Sequence, residues 1–294
     1  MSARVDTGNL IEPSPRRTTQ FSGVIGGKRW IGVIGILLYT AFVSIPFLWM
    51  ATISVKPPSD YIADPPVILP SEWTWNHFAV LGNLGTWDAL RNSVIVATVS
   101  SLLSVIVGGV AGYAIARYRT GGQNLSLFIL SQRLLPPIAA ILPIFVLLRT
   151  VRLIDSHLGL VLLYTVFTLP FTIWIVRSYF LGIPADFEDA ARLEGANQRQ
   201  ILYHIGLPLG RPAFIAAGGF AFVVAWTEFL FAVTLTRTNA VTLPVVIGGF
   251  RGVQANLLGE LAAMALIGAV PVLIVGALFH KYAVSGLTMG GIEG

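Results

Sequence analysis

Long apolar runs, separated by short polar segments, dominate the pattern of hydrophobic and polar positions along this chain. Six of these runs are long enough to cross a hydrocarbon layer of about 30 Å as helices. They lie at residues 30–53, 94–116, 125–148, 158–180, 213–235 and 257–279. The pattern predicts an all-α membrane protein with six transmembrane helices.

A polar stretch at residues 183–212 separates the fourth run from the fifth. Charges and unpaired backbone groups in hydrocarbon each cost a few kcal/mol, so this loop must lie outside the lipid. A short helix is predicted from Asp186, as its cap, to Glu194. Gly195 can end that helix in a left-handed conformation, and a second helical segment is predicted at 198–205.

Two side chains of the first short helix have complementary charges. Glu188 and Arg192 are four residues apart, in the order that favours an ion pair on a helix. This spacing predicts an ion pair between the two side chains.

The residue spacing in this loop resembles the coupling motif of ABC importer permeases. That motif reads Glu-Ala-Ala, three residues, Gly, nine residues, Ile, one residue, Leu-Pro. Asp189 stands here in place of the Glu, and every other fixed position matches. The segments 54–57, 226–229 and 282–294 are similar to the carbohydrate-uptake branch of the family, in particular to its MalG-like subunits.

The resemblance implies a type I ABC importer fold with a cytoplasmic coupling helix between spans four and five. It also implies a role for ten residues in contacting an ATPase. These are Phe187, Glu188, Asp189, Ala190, Ala191, Leu193, Gly195, Ile205, Leu207 and Pro208. The expected substrate is a di- or oligosaccharide or a related polyol, with glycerol phosphate as an alternative within the family.

The implied partners are a second permease, two copies of a cytoplasmic ABC ATPase and an external solute-binding protein. The second permease is expected to be an unlike, MalF-like paralogue. ATP and Mg²⁺ are expected on the ATPase, so this chain is expected to bind no cofactor and to catalyse no reaction.

Composition supports a membrane protein independently of the motif. Hydrophobic residues make up 55% of the 294 positions and charged residues 11%, whereas soluble domains average about 25% charged residues. The absence of cysteine excludes disulfides and thiolate metal sites. The net charge of +5 is spread over the loops between spans, which argues against a nucleic-acid-binding face.

The distribution of Lys and Arg predicts the orientation of the spans. Twelve of these residues fall on the side that holds both termini and the loop 183–212, and six fall on the other side. The positive-inside rule places that richer side in the cytoplasm. We therefore expect a multi-pass protein of the bacterial inner membrane, with cytoplasmic tails at 1–29 and 282–294 around a permease domain at 30–281.

Two spans carry residues that disturb or tighten helix packing. The third contains Arg133 and three prolines, at 136, 137 and 143, which predict a break near its middle. The second contains several Ser and Gly residues, which allow a neighbouring helix to approach closely.

Six residues are candidates for the solute path because they combine hydrogen-bonding groups with aromatic faces. They are Gln132, Arg133, Tyr164, Trp226, Thr227 and Glu228. Ionisable groups at membrane depth usually mark a pathway or pair with each other. The sequence favours the second interpretation, a buried structural ion pair between Arg133 and Glu228, and leaves the path open.

Other functions find less support. The sequence around Gly27-Lys28 fails as a phosphate loop, because Ser22 and Arg29 occupy two of its fixed positions. The four histidines lack metal-ligand spacing and no nucleophile motif is present, so neither a catalytic nor a metal site is predicted. A secondary transporter or channel remains an alternative, although no inverted repeat is visible.

Overall fold

The computed structural model describes residues 25–65, 67–250 and 257–288, and these residues form helices and turns without a β-strand. The chain divides into two units, Met1–Leu48 and Trp49–Gly294. The described residues of the first unit belong to helix α1 (Ile25–Ile53), which continues into the second unit.

The second unit contains the remaining described helices. In chain order they are α2 (Pro58–Tyr61), α3 (Asn76–Ala79), α4 (Thr86–Tyr118), α5 (Gly122–Ser131), α6 (Pro137–Thr150), α7 (His157–Leu181), α8 (Asp186–Leu193), α9 (Gln198–Ile201), α10 (Leu207–Trp226), α11 (Leu230–Leu235), α12 (Leu243–Gly249) and α13 (Leu258–Thr288). Five helical segments of the described chain are long and apolar enough to cross a membrane, and one bent pair supplies a sixth span. The predicted set of six spans is confirmed when the bent pair is counted as one.

The bent pair is the predicted third span. Its two parts, Asn124–Leu134 and Pro137–Thr150, meet at an angle of 93°. Pro137 has no N–H to continue the helix, and residues before a proline avoid the helical region, so Leu135 and Pro136 are extended. The predicted break is confirmed.

The small residues of α4 allow tight packing, as predicted. Helix α4 packs against α7 and α10, and α10 packs against α13. A Cβ atom added at Gly112 would lie only 2.8 Å from the carbonyl oxygen of Ile173 on α7. The hydroxyls of Ser104 and Thr172 are hydrogen-bonded at 2.8 Å across the same interface.

The predicted fifth span, 213–235, was wrong at both ends. The apolar helical segment runs from Gln198 to Trp226, and α11 is separate from it. The helix continues through Pro208 because residues Leu202–Gly206 form a π-helical turn just before it. A widened turn makes room for the proline ring, which otherwise collides with the carbonyl four residues earlier.

The segments at either side of the spans differ in detail from the prediction. The segment between the first two apolar runs contains short helices, and α4 already begins at Thr86, before the predicted start of the second span at residue 94. Helix α13 extends to Thr288, into the predicted tail at 282–294. Residues 1–24 and 289–294 of the two predicted tails lie outside the described residues.

Candidate functional site

Helix α8 is the predicted short helix of the polar loop. It spans Asp186–Leu193, one residue shorter than predicted. The predicted cap at Asp186 was wrong, because Ala185 is the N-cap residue and makes no side-chain cap. Three acidic residues, Asp186, Glu188 and Asp189, lie in the first turn, where the positive end of the helix dipole favours them.

The inner side of α8 is held by a buried ion pair. Arg117 near the end of α4 donates from Nε to Oε1 of Glu188 at 2.7 Å, and the two side chains are 7% and 1% exposed. The hydroxyl of Tyr113 donates to Oε2 of Glu188 at 3.1 Å. Nη1 of Arg117 also donates to the carbonyls of Phe180 and Ile183, at 2.9 and 2.8 Å. One guanidinium therefore ties α8 to the ends of both α4 and α7.

Arg192 adds a second, more exposed contact to this network. Its Nη2 lies 3.5 Å from Oε2 of Glu188, which confirms the predicted ion pair. Its Nη1 donates to Asp189. Because Arg192 is 35% exposed, these contacts contribute less than the buried pair.

The outer side of α8 is apolar and exposed. Phe187 is 58% exposed and Leu193 is 91% exposed. Ala190 is also exposed, and helical periodicity places Ala190 and Leu193 on the side opposite Glu188. Within the described part of the chain, no side chain covers this surface.

The exit from α8 is a sharp turn at Gly195. Its φ of +88° is in the left-handed region predicted from the sequence, and an added Cβ would meet no atom within 4 Å. Helix α9 then begins with a reciprocal capping box between Asn197 and Gln200. The hydroxyl of Tyr118 donates to Gln198, so the end of α4 contacts the start of α9 as well as α8.

The remaining motif residues lie beyond this turn. Ile205 is in the π-helical turn, and Leu207 and Pro208 begin α10. An open cleft of about 330 Å³ lies between the end of α8 and this segment, and Ala191 and Ile201 are among its lining residues.

Two of the six path candidates are in direct contact. The hydroxyl of Tyr164 on α7 donates to Oε2 of Glu228 at 2.7 Å. Glu228 lies in the break between α10 and α11, and its carboxylate accepts the backbone N–H groups of Phe231 and Ala232 at 2.9 and 3.2 Å. Glu228 therefore caps α11.

The predicted ion pair between Arg133 and Glu228 was wrong. The guanidinium of Arg133 lies between the rings of Phe167 and Phe171, at 3.9 and 4.2 Å from their centroids. Glu228 is occupied instead by Tyr164 and the N-terminus of α11. An acid that already has three hydrogen-bond donors gains little from a distant cation.

The other three path candidates make their hydrogen bonds elsewhere, although Trp226 belongs to the same buried cluster as Tyr164. Trp226 is buried, and its indole N–H donates to the carbonyl of Gly268 on α13 at 3.1 Å. Gln132 and Thr227 are exposed, and each donates to a carbonyl of its own helical segment.

Sequence reasoning missed Arg117 and Tyr113 as partners of the loop. They lie 71 and 75 residues from Glu188, and no local pattern joins them.

Sequence reasoning also missed Asp155, which lies between α6 and α7. The carboxylate of Asp155 accepts the backbone N–H groups of residues 237–240 at 2.9 to 3.2 Å. Burial alone would raise the pKa of Asp155, but these N–H groups outweigh it and hold the pKa well below its usual range.

The described residues contain no cluster of side chains that could bind a metal ion. No group of three or more His, Asp or Glu side chains there is placed to hold a metal ion.

Comparison with known proteins identifies the family. Residues 104–287 match the family described as binding-protein-dependent transport system inner membrane component. The trehalose/maltose transport system permease protein MalG of Thermococcus litoralis is 33% identical over 91% of this chain and 98% of its own length. The sulfoquinovosyl glycerol transport system permease protein SmoH of Agrobacterium fabrum is 32% identical over 97% of this chain and 100% of its own length.

A solved structure supports the same fold. A bacterial ABC transporter involved in the import of the acidic polysaccharide alginate aligns with a TM-score of 0.69 and 22% identity, over 87% of this chain and 97% of the solved chain. The matched family covers most of the apolar helices, the polar loop and the two breaks described above. This multi-pass membrane chain therefore belongs to the family of inner membrane components of binding-protein-dependent ABC transport systems.

Proposed function

We propose that this chain is one permease subunit of an ATP-driven, binding-protein-dependent importer for a sugar or a related polyol. Family membership supports the transport role. The relatives support a sugar as the solute, because they belong to a trehalose/maltose system and a sulfoquinovosyl glycerol system.

Helix α8 is the proposed coupling helix, which docks on the ATPase. The observation that carries this proposal is the contrast between the two sides of one eight-residue helix. Glu188 faces the spans and is buried in its ion pair with Arg117, whereas Phe187 and Leu193 are exposed. Exposed apolar anchors beside alanines suit a pocket on a partner protein, because their burial there supplies binding energy.

The buried ion pair between Arg117 and Glu188 attaches α8 rigidly to the spans, so that α8 can act as a lever that transmits movement of the ATPase. Movement of the ATPase would act on the outer face of α8, and Arg117 would carry that movement to α4 and α7. Of the motif residues, Glu188 thus has a positioning role inside this chain, whereas Phe187, Ala190 and Leu193 contact the ATPase.

The proposed complex has the orientation predicted from the positive charges. Helix α8 and both termini face the cytoplasm, where two ATPase copies bind ATP and Mg²⁺. A second permease chain completes the path and an external binding protein delivers the solute. The path runs along the break between α5 and α6, near Arg133, and the break between α10 and α11, near Glu228. Broken helices in membranes usually face other protein segments or water-filled cavities.

Substitution of the outer face tests the coupling proposal. In liposomes holding the full complex, Leu193→Ser combined with Phe187→Ala should lower binding of the ATPase by about tenfold or more, because hot-spot truncations cost about 2 kcal/mol or more. Leu181→Ala is the control, since Leu181 is an exposed leucine outside α8.

Unchanged ATPase binding and uptake in the double variant would refute docking through α8. Uptake by the permease pair without any ATPase would instead support a secondary transporter or channel.

A further inference from the structure

Arg133 is a cation in a predicted membrane span, and none of the described acidic residues forms an ion pair with it. It lies in the turn Gln132–Leu134 at the 93° break between two apolar helical segments. A charge in such a place is costly unless a partner compensates for it.

Aromatic stacking compensates for only part of this cost. Phe167 and Phe171 are one helical turn apart on α7, and their rings lie on the guanidinium at 3.9 and 4.2 Å. Such stacking suits the faces of a planar cation, but it provides no acceptor in the plane of the N–H groups.

The unsatisfied atoms lie on one edge of the guanidinium. Nε and Nη2 of Arg133 are shielded from solvent and have no hydrogen-bond partner within the described residues. These two nitrogens form the edge that binds a carboxylate side-on through two parallel N–H···O bonds. The two rings contact the guanidinium, and the edge formed by Nε and Nη2 offers two N–H donors side by side, which suits an oxyanion better than a hydroxyl group.

We propose that Arg133 binds an anionic group of the transported solute, and that the importer therefore prefers an acidic saccharide. This inference rests on the proposed function and narrows its substrate class. The break at Pro136 and Pro137 is where the spans can separate to expose the edge during transport, since this part of the backbone is not held by helical hydrogen bonds.

The test compares a neutral disaccharide with the same disaccharide carrying one carboxylate in place of a hydroxymethyl group. The full complex is reconstituted in phosphatidylcholine liposomes, which contain no anionic lipid headgroup to occupy Arg133. Uptake of both sugars is measured for wild type, Arg133→Gln and Arg133→Lys. Arg149→Gln is the matched control, because Arg149 is an exposed cation at the end of α6.

We expect wild type to prefer the acidic sugar. Arg133→Gln should reduce its uptake about ten- to hundredfold, as expected for hydrogen bonds to a charged group, and leave the neutral sugar within about twofold. Arg133→Lys should restore only part of the uptake, because an ammonium lacks the two-nitrogen edge. Arg149→Gln should match wild type both in the uptake of the two sugars and in ATPase activity without solute.

Two other results would overturn the inference. If the neutral sugar is taken up equally well or Arg133→Gln impairs both sugars alike, Arg133 pairs with another subunit or is structural, while sugar import stands. If wild type takes up neither sugar in an ATP-dependent manner, the proposed function fails together with this inference.

Discussion

Removal of Arg117 should uncouple ATP hydrolysis from transport. Arg117→Met deletes the 2.7 Å contact with Glu188 and the two bonds to the carbonyls of Phe180 and Ile183. Because Glu188 is only 1% exposed, its carboxylate stays buried with Tyr113 and the weaker contact to Arg192. Helix α8 then loses the guanidinium bridge to the end of α7 and keeps the weaker hydrogen bond from Tyr113 as a contact with α4.

The expected cost follows from this burial. Breaking a buried ion pair by removing one partner costs about 3–5 kcal/mol, because the remaining charge is left uncompensated. Replacement of both partners by apolar side chains of similar volume is often neutral. The double variant Arg117→Met with Glu188→Met should therefore recover most of the lost stability without restoring the bonds to Phe180 and Ile183.

Two measurements separate stability from coupling. Thermal unfolding in detergent should show a large loss for Arg117→Met and a small one for the double variant. The amount of solute imported per ATP hydrolysed should fall at least severalfold in both variants. Arg192→Met is the control, and its partly exposed contacts are worth about 1 kcal/mol or less. Wild-type transport per ATP in the double variant would refute the role of Arg117 in the lever.

Three further changes test other parts of the structure. Gly195→Val should weaken ATPase binding about tenfold, because a φ of +88° strains a β-branched residue by about 1–2 kcal/mol. Gly195→Asn should stay near wild type, because asparagine tolerates this φ. Equal ATPase binding by both variants would contradict this prediction. Asp155→Asn should lower the free energy of unfolding by about 1–2 kcal/mol, because the single oxygen of an amide cannot accept all the N–H groups of residues 237–240. This value is kept small because Asp155 is partly exposed to solvent. Because the folded pKa of Asp155 is lowered, its contribution is present above the unfolded pKa of about 3.9 and is lost as the pH falls towards the folded value, so thermal unfolding of wild type and variant should converge at low pH. Tyr164→Phe should cost about 1–3 kcal/mol in unfolding stability by removing the 2.7 Å bond to Glu228, and an unchanged melting temperature would show that water replaces the hydroxyl.

Features that depend on neighbouring residues were predictable from the sequence. The limits of α8, the left-handed turn at Gly195 and the break before Pro137 each follow from residues a few positions apart. Local rules failed at Asp186, because favourable charges in the first turn made a side-chain cap unnecessary. They failed again at Pro208, where a π-helical turn absorbed a residue that usually ends a helix.

Features that depend on distant residues were not predictable in the same way. Arg133 and Glu228 were expected to pair because both are ionisable groups of opposite charge at membrane depth in the predicted spans. Glu228 instead contacts Tyr164, 64 residues earlier, and Glu188 contacts Arg117, 71 residues earlier. Charge signs alone do not identify such partners, because helix packing decides which groups meet and aromatic rings or backbone N–H groups can replace a counter-ion.

The sites around Arg117 and Arg133 differ in a way that bears on their roles. Arg117 has a carboxylate and two carbonyls as acceptors, all from its own chain, although its Nη2 has no hydrogen-bond partner among the described residues. Arg133 has two aromatic faces and no acceptor on its Nε and Nη2 edge among the described residues. A lever must be rigid in every state of the transport cycle, whereas a solute site must be completed only when the solute is present. The site at Arg117, which has an acid as its partner, therefore suits transmission of force, and the site at Arg133, which has no acid as a partner among the described residues, suits transient binding of an anion.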